Sequence, residues 1–207
     1  MVRLSWFTPF ARFTPVASAL FFSLAACTPV GERTQLSVGY YSIAGSTFDE
    51  LDQQISLHGP TVNKVGRALA ATNVRMLPDF QFKTVGGKCT VASARVDVQA
   101  HVTLPRLTNP ERVKRELSKV WNNLEQYARL HESVHVAIAD SYALKAEKAV
   151  TALPPQPDCQ TLRGNAVLAF RKLMAEHERE QIQFDEDEKD RIAELVARSR
   201  NLHAQTQ

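Results

Sequence analysis

Hydrophobic and polar residues alternate most strictly between positions 92 and 104. Apolar side chains occupy every even position: Ala92, Ala94, Val96, Val98, Ala100, Val102 and Leu104. Polar side chains occupy the odd positions between them. A period of two is typical of a strand with one buried and one hydrated face. We therefore predict a strand over this segment, ended by Pro105.

Two earlier segments predict a further strand and a helix. Residues 36–44 are rich in β-branched and aromatic side chains, which favour a strand. The segment 46–49 reads Ser-Thr-Phe-Asp and resembles a capping box that opens a helix through about Leu57. His58-Gly59-Pro60 then ends that helix.

Strands are also predicted over 65–76 and 79–85, separated near Pro78 because proline cannot donate to a strand ladder. Gly86-Gly87 predicts the turn into the alternating strand. These elements predict an α+β fold with a small antiparallel sheet packed against helices.

The second half of the chain is predicted to be helical. Asn109-Pro110-Glu111 supplies a capping residue, an early proline and an early acid. We expect a helix from there to about Val150, with a break near Ser118. Residues at three- and four-residue spacing predict its core stripe: Tyr127, Leu130, Val134 and Ile138.

A turn at 154–157 separates this helix from a final one, which Asp158 caps and which extends to about Ser199. We expect the final helix to fold back on the preceding one. Its inward stripe is predicted to consist of Ala166, Phe170, Leu173, His177, Phe184 and Ile192.

The candidate chemistry lies in the first of these two helices, where residues 131–135 read His-Glu-Ser-Val-His. On a helix, His131 and His135 share one face, and two imidazoles so placed can bind one Zn²⁺. Glu132 projects beside them as a candidate general base for hydrolysis. The alternative is a structural helix with two surface histidines.

Catalytic zinc usually has three protein ligands, so a third is expected. Ser141 occupies the position at which the metzincin pattern needs a histidine, which excludes that class. An antiparallel return of the final helix places residues 175–180 level with the motif. His177 lies there on the inward stripe, and a break in either helix moves the match to Asp185 or beyond.

Residues 1–26 are predicted to be a lipoprotein signal peptide. Arg3 and Arg12 accompany an apolar stretch that is too short for an ordinary transmembrane helix and ends Leu-Ala-Ala before Cys27, as in a bacterial lipobox. We expect lipidation of Cys27, a tether over 27–34 and a single domain over 35–207. The alternative is an ordinary signal peptide in which Cys27 is incidental.

The remaining cysteines, Cys89 and Cys159, are predicted to form a disulfide, because an even count in an exported chain favours one. The alternative is two buried thiols. The disulfide would connect the strand region to the final helix.

The order of several short motifs resembles a bacterial family of secreted proteins, domain of unknown function 922, whose members are described as predicted zinc-dependent proteases. The matching pieces are Tyr40–Ser46, His58-Gly59-Pro60, Gly86–Cys89, Thr103-Leu104-Pro105, Trp121, the motif at 131–135, Cys159 and Phe184-Asp185. The resemblance covers nearly the whole chain after the leader and implies a zincin-like metallopeptidase domain.

The C-terminal pattern of that family has an aromatic residue and Asp, followed by Thr-x-His-Gly. Phe184-Asp185 fits this pattern, but Glu188 and Asp190 stand where the Thr and His would be. The resemblance thus leaves Asp185 as the leading third ligand, with His177 and Asp190 as alternatives.

These features predict a lipid-anchored zinc metallopeptidase that cleaves peptides or proteins in the cell envelope. Thr28 after Cys27, in place of Asp, favours the outer membrane, facing the periplasm. One alternative is a non-catalytic envelope lipoprotein that binds a partner and keeps a vestigial or structural zinc site. Another is a zinc hydrolase of cell-wall amide bonds.

The charge of the chain gives no argument for nucleic acid as a partner. Loss of Arg3 and Arg12 with the leader reduces the net charge from +3 to +1. A nearly neutral protein lacks the basic surface that nucleic-acid binding requires.

Overall fold

The computed structural model describes residues 33–62 and 66–204 and has the predicted α+β architecture. Its elements, within the described residues, are β1 Thr34–Ile43, α1 Phe48–His58, β2 Thr61–Val62, β3 Gly66–Arg67, β4 Ala71–Val85, β5 Lys88–Leu107, a 3-10 helix Pro110–Arg112, α2 Arg115–Thr151 and α3 Cys159–Ala204.

Three strands form the main sheet in the order β1-β5-β4, and β2 pairs with β3 in a short hairpin. β5 is antiparallel to β4 but parallel to β1. The sheet is therefore mixed: β4 and β5 form the predicted antiparallel pair, and β1 adds a parallel strand. The segment from α1 through β4 is long enough to serve as the crossover that a parallel pair needs.

The alternating strand is the centre of the sheet, and its even-numbered face is buried from Val96 to Leu104, as predicted. Ala92 differs, because the pairing with β4 shifts register between Gln81 and Phe82. This β-bulge leaves Ala92 without a partner in β4, and its side chain is exposed.

Both prolines that were expected to interrupt strands lie inside them. β4 passes through Pro78 without a break, which an edge strand permits. β5 also continues through Pro105. The pairing of β5 with β4 ends at Thr103, so Pro105 lies beyond it. Gly86 and Gly87 form the predicted turn, each with a positive φ that glycine adopts readily.

β1 begins at Thr34, so the last residue of the predicted tether belongs to the sheet. Arg33 pairs with Glu147 of α2 at 2.6 Å, and the Thr34 hydroxyl donates to Asp140 of α2 at 2.7 Å. The start of the domain is thereby attached to α2. α1 follows β1, and Thr47 caps it by accepting from the backbone N–H of Glu50.

The buried face of α2 was predicted wrongly. Leu130 and Val134 are 61% and 38% exposed. The face that packs on the sheet and α1 instead carries Leu117, Val120, Trp121, Leu124, Ala128, Ala139, Ala143, Ala146 and Val150. Alanines let α2 lie close to β5, and a stripe of small residues is less visible in sequence than one of large residues. The break before α2 lies at 113–114 rather than near Ser118.

α3 begins where predicted, and its cap is Asp158, which accepts from the backbone N–H of Thr161 at 2.8 Å. Cys89 and Cys159 are joined by a disulfide, with 5.1 Å between their Cα atoms. The bond attaches the start of α3 to the start of β5. Phe170 of α3 then meets Phe80 of β4 edge to face.

The predicted signal peptide, the lipidation of Cys27 and the tether before Arg33 lie outside the described residues. Within the described part of the chain, no helix combines the length and apolar character that crossing a membrane requires.

Candidate metal centre

His131 and His135 lie one turn apart on the side of α2 that faces α3. Their Nε2 atoms are 3.2 Å apart, and their rings meet at 79°. Both side chains are mostly buried, with 12% and 13% of their surface exposed. The four-residue spacing thus brings two imidazole nitrogens to one point.

Asp185 of α3 completes a cluster of three. Its Oδ1 lies 3.2 Å from Nε2 of His131 and 3.0 Å from Nε2 of His135. Its side chain is 51% exposed, so the cluster is open to solvent at this carboxylate. The helix pair therefore brings together the three residues that the sequence suggested as metal ligands.

His177 and Asp190, the alternative third ligands, are not members of this cluster. Gln181 is the residue of α3 that lies beside His135, so His177 is one turn further along, against Tyr142. The structure thus places residues 181–185, rather than the expected 175–180, level with the motif. The connection between α2 and α3 extends towards β5, where Gln156 bridges Cys89.

Aromatic rings hold His131. Its ring stacks on Phe184 at a centroid distance of 4.8 Å, and Tyr127 lies on it at 6.2 Å. Nδ1 of His131 is buried without a hydrogen-bond partner among the described residues. Packing rather than hydrogen bonding to Nδ1 therefore sets the direction in which Nε2 points.

A hydrogen bond holds His135. Its Nδ1 contacts Oε1 of Gln181 at 2.5 Å. The side-chain amide of Gln181 donates to the backbone carbonyl of His135 at 3.0 Å and contacts Nε2 of His177 at 2.9 Å. Sequence reasoning missed Gln181, although its position four residues before Asp185 places it on the same face of α3.

His177 serves this arrangement as an acceptor. Burial is the main cause that lowers the pKa of His177, and the nearby His135 adds to the effect while Glu178 opposes it. A neutral ring can accept the proton of the Gln181 amide at Nε2. His177 therefore supports the cluster through Gln181 rather than by joining it.

Glu132 faces the sheet. It is 4% exposed, and its Oε2 accepts a hydrogen bond from the Thr72 hydroxyl of β4 at 2.7 Å. Within the motif, the two histidine side chains therefore point towards α3, and the Glu132 carboxylate points towards β4.

Glu188 of α3 accepts a hydrogen bond from the Tyr127 hydroxyl at 2.5 Å. It also pairs with Arg191 at 2.7 Å. Burial, followed by the bond to Glu188, raises the pKa of Tyr127 to about 12. Tyr127 is therefore a neutral donor that Glu188 fixes beside His131.

The donor atoms suit a single zinc ion. Two imidazoles and one carboxylate are a common donor set for catalytic zinc. Two ligands of a tetrahedral zinc ion, each at ~2.0–2.1 Å, are ~3.3–3.4 Å apart. The three donor atoms are separated by 3.0, 3.2 and 3.2 Å, so a slight outward movement would accommodate the ion.

Fold and site together define an α+β protein with a candidate metal centre between two long helices. The chain belongs to a family of bacterial proteins of unknown function, DUF922, whose profile matches residues 38–191. None of the curated proteins and none of the solved structures compared with the chain matches it.

Proposed function

We propose that the protein is a zinc-dependent metallopeptidase of the cell envelope. The observation that carries the proposal is the cluster, in which Nε2 of His131, Nε2 of His135 and Oδ1 of Asp185 lie within 3.2 Å of one another. Three protein ligands with an open side are the arrangement of catalytic zinc sites, whereas structural sites usually have four.

Each residue has a distinct part in this proposal. His131, His135 and Asp185 would hold the ion, and the exposed side of Asp185 would admit the substrate. Zinc, when bound, would polarise the scissile carbonyl and make water more acidic. Glu132 would take the proton of the attacking water and pass it to the leaving amine.

A second function is favoured by the position of Glu132. Its Oε2 already accepts from Thr72, and the side chain is almost fully buried. If this carboxylate serves only to attach α2 to β4, the cluster would hold a structural zinc ion. The protein would then be a non-catalytic envelope lipoprotein that binds a partner.

Metal analysis is the first experiment. The full chain, purified without a metal-affinity tag, is expected to retain about one zinc ion. A His131→Ala/His135→Ala variant should retain none. His101→Ala is the matched control, because His101 bonds Ser37 on the opposite face of the sheet and should leave zinc binding unchanged. Absence of zinc from the wild type, even after zinc is added, would contradict the metallopeptidase and would favour a non-catalytic protein with a vestigial site.

A hydrolysis assay distinguishes the metallopeptidase from the non-catalytic protein. Glu132→Gln should keep the zinc ion and lose cleavage of an unfolded protein substrate or of purified cell wall, two sources of amide bonds. Full activity of this variant would contradict the role given to Glu132. Tight zinc binding without cleavage by the wild type would favour the structural site.

We also propose that Cys27 anchors the protein to the outer membrane, facing the periplasm. The support is the sequence before Cys27, which ends Leu-Ala-Ala. Cys27→Ser should release the protein from the membrane fraction. Retention of this variant in the membrane fraction would contradict lipid anchoring through Cys27.

A further inference from the structure

Gln181 uses three hydrogen-bonding groups at once. Its Oε1 contacts Nδ1 of His135, while its amide nitrogen donates to the backbone carbonyl of His135 and contacts Nε2 of His177. Two of these contacts go to the same residue, one to its ring and one to its backbone. Gln181 therefore fixes the ring of His135 relative to the turn of α2 that carries it.

The direction of these bonds determines where His135 holds its proton. The amide nitrogen of Gln181 can only donate, and Oε1 can only accept. In the neutral ring, Nδ1 of His135 must therefore carry the hydrogen, and the lone pair is then on Nε2. Nε2 is the atom that faces His131 and Asp185.

His131, unlike His135, is not oriented by a hydrogen bond to its Nδ1 from the described residues. Its Nδ1 is buried without a partner among the described residues, and Phe184 and Tyr127 orient its ring instead. The two histidines of the motif are thus held by different means. A change at residue 181 is expected to disturb His135 and to leave His131 in place.

We propose that Gln181 is a positioning residue for the metal centre, which sets the tautomer and the ring orientation of His135. This inference rests on the proposed zinc site. Groups that accept the second N–H of a ligating histidine fix its tautomer, and their loss typically lowers metal affinity ~10–100-fold. Gln181 would fill this role with an amide, where a carboxylate or a backbone carbonyl is more usual.

The test replaces Gln181 by methionine, which keeps the length of the side chain and removes its hydrogen bonds. Gln181→Met should bind zinc ~10–100-fold more weakly than the wild type in a chelator competition. Gln183→Met is the matched control, because Gln183 is exposed on the same helix and bonds only Asp187 among the described side chains. It should bind zinc as the wild type does.

Gln181→Glu tests the acceptor atom of Gln181, Oε1, separately from the N–H donors of its amide. A glutamate accepts from Nδ1 of His135 but cannot donate to the backbone carbonyl of His135 or to His177. It should bind zinc more tightly than Gln181→Met, because it retains the bond that selects the tautomer. Equal zinc affinity of Gln181→Met and the wild type would overturn the proposal.

A nitrogen NMR measurement on the imidazole rings reads the tautomer directly in the zinc-free protein. The wild type should hold the His135 proton on Nδ1, and Gln181→Met should show a mixture of tautomers. A proton on Nε2 and none on Nδ1 in the wild type would overturn the proposal even if Gln181→Met failed to fold. If the wild type binds no zinc at all, the proposed function fails, while the tautomer measurement still decides the role of Gln181.

Discussion

Thr72 of β4 donates a hydrogen bond to Oε2 of Glu132 on α2, with 2.7 Å between the two oxygens. Thr72 is the second residue of an edge strand, and Glu132 is almost fully buried. The contact attaches the candidate general base to the sheet, while the two histidines on either side of it turn towards α3. Three elements therefore define the site, and the motif on α2 supplies only part of it.

Thr72→Val tests this contact, because valine keeps the shape of threonine and removes the hydroxyl. The buried Oε2 of Glu132 would lose a partner, and the free energy of unfolding should fall by about 1–3 kcal/mol. Urea denaturation of the zinc-free protein measures the change. Thr61→Val, at an exposed position of β2, should change it by less than about 0.5 kcal/mol. Equal stability of Thr72→Val and the wild type would show that the hydroxyl contributes nothing.

Asp185→Asn tests the third ligand. Loss of an outer hydrogen bond to a ligand already lowers metal affinity ~10–100-fold, so the loss of a charged ligand should lower it at least as much. Zinc titration against a chromophoric chelator measures this affinity. Asp187→Asn and Asp190→Asn, exposed on the same helix, should retain the affinity of the wild type. Loss of zinc from Asp190→Asn alone would move the third ligand to Asp190.

The disulfide is expected to contribute to stability rather than to the cluster. Cys89 and Cys159 are 70 residues apart in sequence, and closing such a loop stabilises a protein by up to about 4 kcal/mol in the chain-entropy model. Cys89→Ala/Cys159→Ala should therefore unfold at a lower concentration of guanidinium chloride. A reductant should bring the wild type to the same midpoint and leave the variant unchanged. If the reductant left the unfolding midpoint of the wild type unchanged, the prediction would be contradicted.

Local signals predicted much of the fold. The alternation in β5 indicated its buried face, Asp158 indicated the start of α3, and Gly86-Gly87 indicated the hairpin turn. Each of these features depends on a few neighbouring residues. The spacing of His131 and His135 belongs to the same class, because a helix alone brings them together.

Features that depend on packing between distant elements were predicted less well. The face of α2 was misjudged because its contact with β5 is made by alanines. The register of α3 against α2 depends on how the connection between them bends towards β5, which no local pattern encodes. Gln181 was missed for the same reason, since its role is visible only when α3 lies in this register.

The orientation of α2 can be tested with Leu124 and Leu130, of which the sequence analysis placed only Leu130 on the core stripe. Leu124 is 6% exposed and Leu130 is 61% exposed, although Leu130 lies on the stripe that spacing predicted to be the core. Leu124→Ala should lower the free energy of unfolding by about 2–5 kcal/mol, since it leaves a cavity in the core. Leu130→Ala should lower it by less than about 1 kcal/mol.

Denaturant unfolding of both variants measures this difference, with the slope of each transition as a check that unfolding exposes the same surface. The face of α2 that buries Leu124 also determines that His131 and His135 point towards α3. A larger loss for Leu130→Ala than for Leu124→Ala would mean that α2 is rotated about its axis. The two histidines would then face away from Asp185, and the metal centre could not form from these three residues.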